Sequence, residues 1–418
     1  MVSVFRNIYK YIVCLAPLWL HIFDITWSAL GIKFEGSDDN PALILTSIAI
    51  FLVVGLTYLW SLWKNKKIYP EELCFFSALA IFFILYVMVG DRFWGNPLVM
   101  FSRIRKSIIY VSLCVLAFYT IRREHWLDAQ HKAFTAFAWV ATIIIAYRIF
   151  PQLTTPWYAV KYYGTLRYQS MGYLCAYVIA FLLVLLQTSK KKIYKLMCVT
   201  AIIVNMISLL HSGGRGAVIA LAAVFAFVVI TSLRNLTVKK VFTIASATII
   251  VAVVAVQLIR TVPVFQDALS GTTRTFSYIQ DDGISLDNRT DLYRDSMDLI
   301  EASPIIGYGV GSSYYFLGSY PHNLFMELMI DGGIPYTLLI SATMLYRLVQ
   351  WYKYYLTHEK IRLVVAMLVM NLMNLMVSGT YYNNHWFWLL MFFDVRLLFP
   401  NNEIPQELGT CVCERNPT

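Results

Sequence analysis

Long hydrophobic runs separated by short polar connections dominate this chain. Residues 42–60 (ALILTSIAIFLVVGLTYLW) and 241–259 (VFTIASATIIVAVVAVQLI) contain no charged side chain. Each run is about as long as the 20 residues that an α-helix needs to cross a bilayer. The pattern predicts an all-α integral membrane protein with about twelve transmembrane helices. We place them near residues 8–31, 42–62, 73–90, 107–121, 133–152, 170–188, 196–211, 217–233, 241–260, 324–350, 361–378 and 384–399.

Composition supports a membrane protein. Of all residues, 59% are hydrophobic and only 14% are charged, whereas about a quarter are charged in ordinary globular proteins. The first hydrophobic run carries His21 and Asp24, and no small-residue cleavage site follows it. We therefore expect it to remain as the first span and not to be removed as a signal peptide.

The net charge of +10 comes largely from alternate short connections. These basic connections are residues 64–67, 122–132, 190–195, 234–240 and 353–362. The positive-inside rule assigns that side to the cytoplasm, with both termini on it. Basic residues spread over short loops between spans do not form a nucleic-acid patch, so no nucleic-acid partner is expected.

The connections divide the chain into four parts. Residues 1–260 hold spans one to nine, residues 261–323 form one large periplasmic loop with short helices, residues 324–399 hold the last three spans, and residues 400–418 form a cytoplasmic tail. Within the loop, residues 286–304 (LDNRTDLYRDSMDLIEASP) predict a helix that is capped by Asp287 or Asn288 and stops before Pro304.

Two groups of arginines on the predicted outer side are suited to an anion. Arg215 follows Gly213 and Gly214 in a turn before a helix, which is compatible with an anion nest and equally with a tight hairpin. Arg289 lies in the first turn of the helix predicted at 286–304, and Arg294 follows one turn later. The positive end of the helix dipole disfavours a cation there unless an anion binds beside it.

A protein carboxylate could be that anion in place of a ligand. An ion pair with Asp287 or Asp291 would account for Arg289 by itself. Two arginines from separate loops favour phosphate oxygens, which guanidinium forks bind well. Arg167, in the outer connection before residue 170, could join the same anion site.

The third candidate is His322, in the sequence Tyr320-Pro321-His322-Asn323. Histidine can accept a proton from a hydroxyl near neutral pH. The alternative is a histidine that merely precedes and caps the following span. Together the outer residues suggest an acidic, membrane-bound substrate such as a glycosylated lipid pyrophosphate.

Three motifs, in this order, resemble the O-antigen ligase and polymerase superfamily of bacterial envelope glycosyltransferases. They are SGGRGA at 212–217, NRTDLYRDSMDLIEASPIIGYGVG at 288–311 and PHNLFMELMIDGGIPY at 321–336. His322-Asn323, a nine-residue spacer, Gly333 and then Tyr336 match a pattern of that family. The resemblance covers roughly residues 200–345; the amino-terminal part matches only in hydropathy.

The resemblance implies a GT-C-type glycosyltransferase of the bacterial inner membrane that needs no metal or other cofactor. Its donor would be a glycan on undecaprenyl pyrophosphate. Arg215 and Arg289 would hold the donor pyrophosphate, and His322 would activate the acceptor hydroxyl. Gly214, Tyr320, Asn323, Arg167 and Arg294 would contribute to substrate binding.

The sequence does not decide between two activities that occur in that superfamily. A polymerase joins lipid-linked repeats, and a ligase moves the finished polymer onto lipid A-core. The aromatic-rich segment at 311–328 (GSSYYFLGSYPHNLFMEL) resembles polymerases more than ligases and favours the polymerase. Surrounding membrane lipids and a chain-length regulator are further expected partners. A transporter of lipid-linked glycan is less favoured, because the unusual charges gather on one side and not at mid-membrane.

Overall fold

The computed structural model describes residues 2–30, 41–95, 97–152, 162–163, 166–212, 214–233 and 287–399. The predicted span at 241–260, the first part of the predicted loop (261–286) and the tail (400–418) lie outside the described residues.

The described residues are almost entirely helical. In chain order the helices are α1 (Val2–Leu15), α2 (Trp19–Leu30), α3 (Pro41–Asn65), α4 (Pro70–Trp94), α5 (Pro97–Arg123), α6 (Leu127–Ile149), α7 (Tyr168–Thr188), α8 (Lys192–Ser212), α9 (Arg215–Leu233), α10 (Asp287–Ala302), α11 (Ser313–Leu317), α12 (Leu324–Thr357), α13 (Arg362–Val377) and α14 (His385–Phe392). Short 3-10 turns cover Ala16–Leu18, Phe150–Gln152, Glu359–Ile361 and Val395–Leu398. Before α7, β1 (Tyr162–Tyr163) pairs antiparallel with β2 (Leu166–Arg167).

Eight helical segments among the described residues are long and apolar enough to cross a membrane. This confirms an integral α-helical membrane protein, although fewer spans than the twelve expected are found in the described part of the chain. The predicted loop helix is confirmed, as α10 runs from Asp287 to Ala302.

The predicted last span, 384–399, is wrong as one continuous helix. α14 has eight residues, which rise only about 12 Å, and the bilayer core is about 30 Å thick. The backbone leaves the helix at Phe393, and Asp394 then accepts from the backbone N–H of Arg396 to start a separate 3-10 turn. The apolar side chains of α14 pack inside the protein: Leu389 and Leu390 are completely buried.

The basic connections that the structure describes meet at one end of the bundle, which we call the lysine face (residues 61–72, 122–132, 188–192 and 357–362). There Ser61 donates to Glu124 at 3.0 Å, and Lys360 pairs with Asp128 at 2.6 Å. The Arg123 guanidinium and the Glu72 carboxylate form a fully buried ion pair at 2.5 Å. Helix hairpins thus bring connections that are far apart in the chain to the same end.

The opposite end is the His322 face (residues 168–173, 212–216, 303–324 and 377–385). α7 occupies the middle of the bundle and packs against α6, α8, α9 and α13. Leu174, Cys175 and Val178 of α7 are buried. The candidate residues near 167, 214, 215 and 322 are therefore mounted around the ends of tightly packed helices.

Candidate active site

The turn that carries Arg215 is held by close backbone packing. α8 ends at Ser212 and α9 begins at Arg215. A Cβ on Gly172 would lie 2.8 Å from Ser212 Oγ, and one on Gly216 would lie 2.3 Å from the Tyr173 hydroxyl. Both atoms are side-chain ends that would have to move, so glycine at 172 and 216 favours the close approach between α7 and the turn. The start of α9 is consequently fixed against α7.

The same start of α9 also lies against the end of α13. A Cβ on Gly216 would come 3.4 Å from Val377 Cγ2. Val377 is the last residue of α13, and Ser378 follows it. Residue 215 is therefore placed beside the carboxyl end of α13.

His322 borders that same end of α13 through its neighbour Tyr320. The Tyr320 hydroxyl donates to the Ser378 carbonyl at 2.6 Å. The rings of Tyr320 and His322 lie 4.3 Å apart between centroids. The end of α13 thus brings together two motifs that are more than a hundred residues apart in the chain, the Gly-rich turn and the His-Asn pair.

The backbone of His322 adopts an uncommon conformation. Its φ is 56°, in the left-handed region, which costs a non-glycine residue about 1–3 kcal/mol. The next residue, Asn323, is extended, and its side-chain oxygen accepts from the backbone N–H groups of Phe325 at 3.0 Å and Met326 at 3.3 Å. His322 is therefore held between the Tyr320 anchor and the capped start of α12, and it stays partly exposed.

Asn323 caps the start of α12. Its side-chain oxygen is used for this cap, which explains the residue type without a ligand. A substrate contact by Asn323 stays a prediction. His322 does not cap the helix, because the capping atom belongs to Asn323.

Gly333, the glycine of the nine-residue-spacer motif, marks a break in α12. Its φ of 73° and ψ of −174° are non-helical. At the break, Ile334 N–H donates to the Pro304 carbonyl at 2.7 Å, while Tyr308 N–H donates to the Ile330 carbonyl at 2.8 Å. The break frees α12 backbone groups for the segment that follows α10. The motif therefore joins the described part of the predicted large loop to the helix that begins beside His322.

Two buried acids in the first turns of α12 were not recognised as a pair from the sequence. Glu327 accepts from the Thr380 hydroxyl and from Tyr381 N–H, and Asp331 accepts from the Tyr381 hydroxyl at 2.6 Å. Two acids four residues apart in an apolar helix were the available signal, since acids inside a membrane helix are costly without partners. They fix the connection between α13 and α14 behind His322, and Glu327 is directed to this connection.

Aromatic side chains surround the same face. Tyr314 lies 5.9 Å from Tyr320 and 6.2 Å from Tyr382 between ring centroids. Burial, with Tyr314 and Glu327 nearby, raises the pKa of Tyr382 well above its usual value, so this phenol stays protonated. Rings with polar edges are suited to stacking against sugars.

The other candidate arginines lie in three different places in the fold. Arg289 belongs to the first turn of α10, which packs against α12. The Arg294 side chain is 70% exposed and lies 3.8 Å from Asp291, an ion pair within the helix. Arg167 lies in β2, directly before α7. Contacts of Arg167, Arg215 and Arg289 with a pyrophosphate stay predictions.

Residues 200–341 match the family described as O-antigen ligase. The match runs from α8 into α12 and contains Arg215, Arg289, His322 and Gly333. It confirms the resemblance to the O-antigen ligase and polymerase superfamily for this part of the chain, and it supports a ligase- or polymerase-type function. No curated protein matches the chain.

Proposed function

We propose that this protein is an O-antigen polymerase. It joins oligosaccharide repeats linked to undecaprenyl pyrophosphate, on the periplasmic face of the bacterial inner membrane, as a GT-C-type glycosyltransferase. The observation that carries the proposal is the meeting of the Arg215 turn and His322 at the carboxyl end of α13. Both lie within the segment that matches the O-antigen ligase family.

The proposed reaction is a direct displacement at the anomeric carbon. The acceptor hydroxyl oxygen forms a bond to the anomeric carbon of the donor, whose bond to the pyrophosphate oxygen breaks. His322 takes the hydroxyl proton, and the carrier pyrophosphate leaves with the bonding electron pair. Arg215 and Arg289 stabilise the charge on that leaving group, a role that a divalent cation fills in other transferases.

The backbone at His322 supports this role. A left-handed histidine held from both sides by Tyr320 and Asn323 costs conformational energy. Such strain concentrates at functional sites, where it fixes the direction of a side chain. A histidine that only preceded a helix would not need an anchored neighbour, because Asn323 already supplies the cap.

The second candidate is an O-antigen ligase, which would transfer the polymer from undecaprenyl pyrophosphate to lipid A-core. The description of the matching family favours it. Both reactions use the same donor and the same proton transfer, and they differ in the acceptor. The aromatic groups near Tyr314 and Tyr320 suit a glycan acceptor in either case.

A gel of lipopolysaccharide from a strain that lacks the gene separates the candidates. Core that carries a single repeat is the expected result, because ligation would survive without polymerisation. Bare core with polymer left on the carrier lipid would assign the protein as the ligase. Wild-type ladders would contradict both. Complementation with Arg215→Ala, Arg289→Ala or His322→Ala then tests the site, provided that each variant reaches the membrane.

A further inference from the structure

A cavity of about 620 Å³ opens on the lysine face, at the end of the molecule opposite to His322. Its walls come from the start of α6, the end of α7 and the connection from α7 to α8. The proposed glycosyl transfer uses none of these residues. The cavity therefore has to be explained separately.

Three lysine side chains line this cavity: Lys132 from α6 and Lys190 and Lys191 from the α7–α8 connection. In the part of the chain that the structure describes, none of the three forms an ion pair. Glu359 is the one carboxylate among the lining residues, and the nearby Asp128 is paired with Lys360 at 2.6 Å. Positive charge is thus in excess, and an anion would be attracted.

Polar groups around the lysines are suited to phosphate oxygens. Ser189 and Tyr194 also line the cavity, whereas the Thr188 hydroxyl donates within its own helix to the Val184 carbonyl at 3.1 Å. Tyr194 accepts a hydrogen bond from the Trp139 indole N–H at 3.2 Å, so its own hydroxyl proton can be donated to a ligand. Tyr194 lies in the first turn of α8, and a tyrosine at the end of a membrane helix is typical of the level of lipid head groups.

An exposed apolar stripe leads away from the cavity along α6. Lys132 and Ala136 line the cavity, and Val140 and Ile143 continue the same helix face with exposures of 53% and 68%. The spacing of four, four and three residues keeps all of them on one side of the helix. Cationic groups at the head and exposed aliphatic groups along the bilayer match an amphiphile that has a phosphate at one end.

From this arrangement we propose that the cavity binds the phosphate head group of an anionic membrane phospholipid. Lys132, Lys190 and Lys191 hold the phosphate, and an acyl chain lies along Ala136, Val140 and Ile143. A soluble phosphate would use the lysines but leave the apolar stripe without a partner. The lipid uses both, so it is the ligand that the geometry favours.

Native mass spectrometry of the purified full-length protein tests this binding. The probes are phosphatidylglycerol and phosphatidylcholine with identical acyl chains, added to protein stripped of lipid. The wild type should retain phosphatidylglycerol preferentially. Replacing Lys132, Lys190 and Lys191 together by Gln should weaken phosphatidylglycerol binding by at least about ten-fold, because each lysine near the surface contributes to anionic lipid binding.

The matched control removes the same charge from the same end of the molecule. Lys66, Lys67 and Lys353 are exposed and do not line the cavity, so their joint replacement by Gln should leave the preference intact. Equal binding of the two lipids by the wild type would overturn the proposal, as would unchanged phosphatidylglycerol binding by the cavity variant. Competition by glycerol phosphate at concentrations equal to the lipid would also overturn it, since the site would then bind soluble phosphate. Equal thermal unfolding midpoints of the two triple variants establish that both are folded.

Discussion

Replacing Gly333 by Ala tests how the segment after α10 is attached to the break in α12. The φ of 73° and ψ of −174° at Gly333 fall in a region that is essentially restricted to glycine. An added Cβ would also lie 2.3 Å from the Ile305 carbonyl oxygen and 2.8 Å from the Pro304 carbonyl oxygen. These are backbone atoms, so the segment itself has to move.

The cost can be worked out from these contacts. The backbone conformation contributes about 1–3 kcal/mol. Displacing Pro304 removes the 2.7 Å hydrogen bond from Ile334 N–H, which adds about 1 kcal/mol. A total of about 3 kcal/mol corresponds to roughly a hundred-fold change in a local opening equilibrium, because 1.4 kcal/mol is a factor of ten.

Gly318→Ala is the matched control. Gly318 has a similar φ of 65°, yet nothing lies within 4 Å of an added Cβ. Its ψ of −2° places it in the ordinary left-handed region, so this variant carries a smaller backbone cost and no clash, and it should leave the segment at residues 303–311 in place.

Hydrogen exchange of the purified protein measures the difference. The amide groups of Tyr308 and Gly309 donate to the carbonyls of Ile330 and Asp331, both at 2.8 Å. In Gly333→Ala they should exchange about a hundred-fold faster than in wild type, and in Gly318→Ala at close to the wild-type rate. Equal exchange in the two variants would refute the reasoning that Gly333 joins this segment to α12.

Three further predictions concern single side chains. Tyr320→Phe keeps the ring beside His322 but removes the hydrogen bond to the Ser378 carbonyl. We expect shorter or less abundant polymer on a gel, with a nearly unchanged unfolding midpoint of the protein. Polymer of full length and amount would show that this hydrogen bond is not needed. Glu72→Gln leaves the Arg123 charge buried without its partner and should destabilise the protein by about 3–5 kcal/mol. Lys64→Gln breaks the more exposed pair with Glu124 and should cost at most about 1 kcal/mol. Equal unfolding midpoints of the two variants would contradict this expectation. Arg294 is exposed and paired with Asp291, so Arg294→Gln should reduce polymer less than Arg289→Gln in the same complementation assay, and an equal loss would place Arg294 in the donor site.

Hydrophobic patterning predicts most of the helices but does not distinguish burial in lipid from burial in protein. The run at 384–399 is rich in apolar residues, but its interior residues Trp386 and Phe393 are buried against other helices. Asn384 caps α14 and Asp394 starts the next turn. Those two polar residues were the local signals that the run is divided.

The candidate site could be predicted in part. The His-Asn pair at the start of a long helix follows from the sequence, and the structure places Asn323 as the cap and His322 beside Tyr320. The contact of Tyr320 with Ser378 could not be predicted, because it depends on how α13 packs beside α12. Such long-range contacts leave no periodic pattern in the chain.

The central claim is that His322 is the base of a glycosyl transfer on one face of the membrane. The direct test uses proteoliposomes of the purified protein, with lipid-linked repeats supplied on the His322 side only, and compares wild type with His322→Ala. The account predicts polymer from the wild type and none from a variant that is folded and inserted to the same extent. Polymer of equal length and amount from His322→Ala would contradict it.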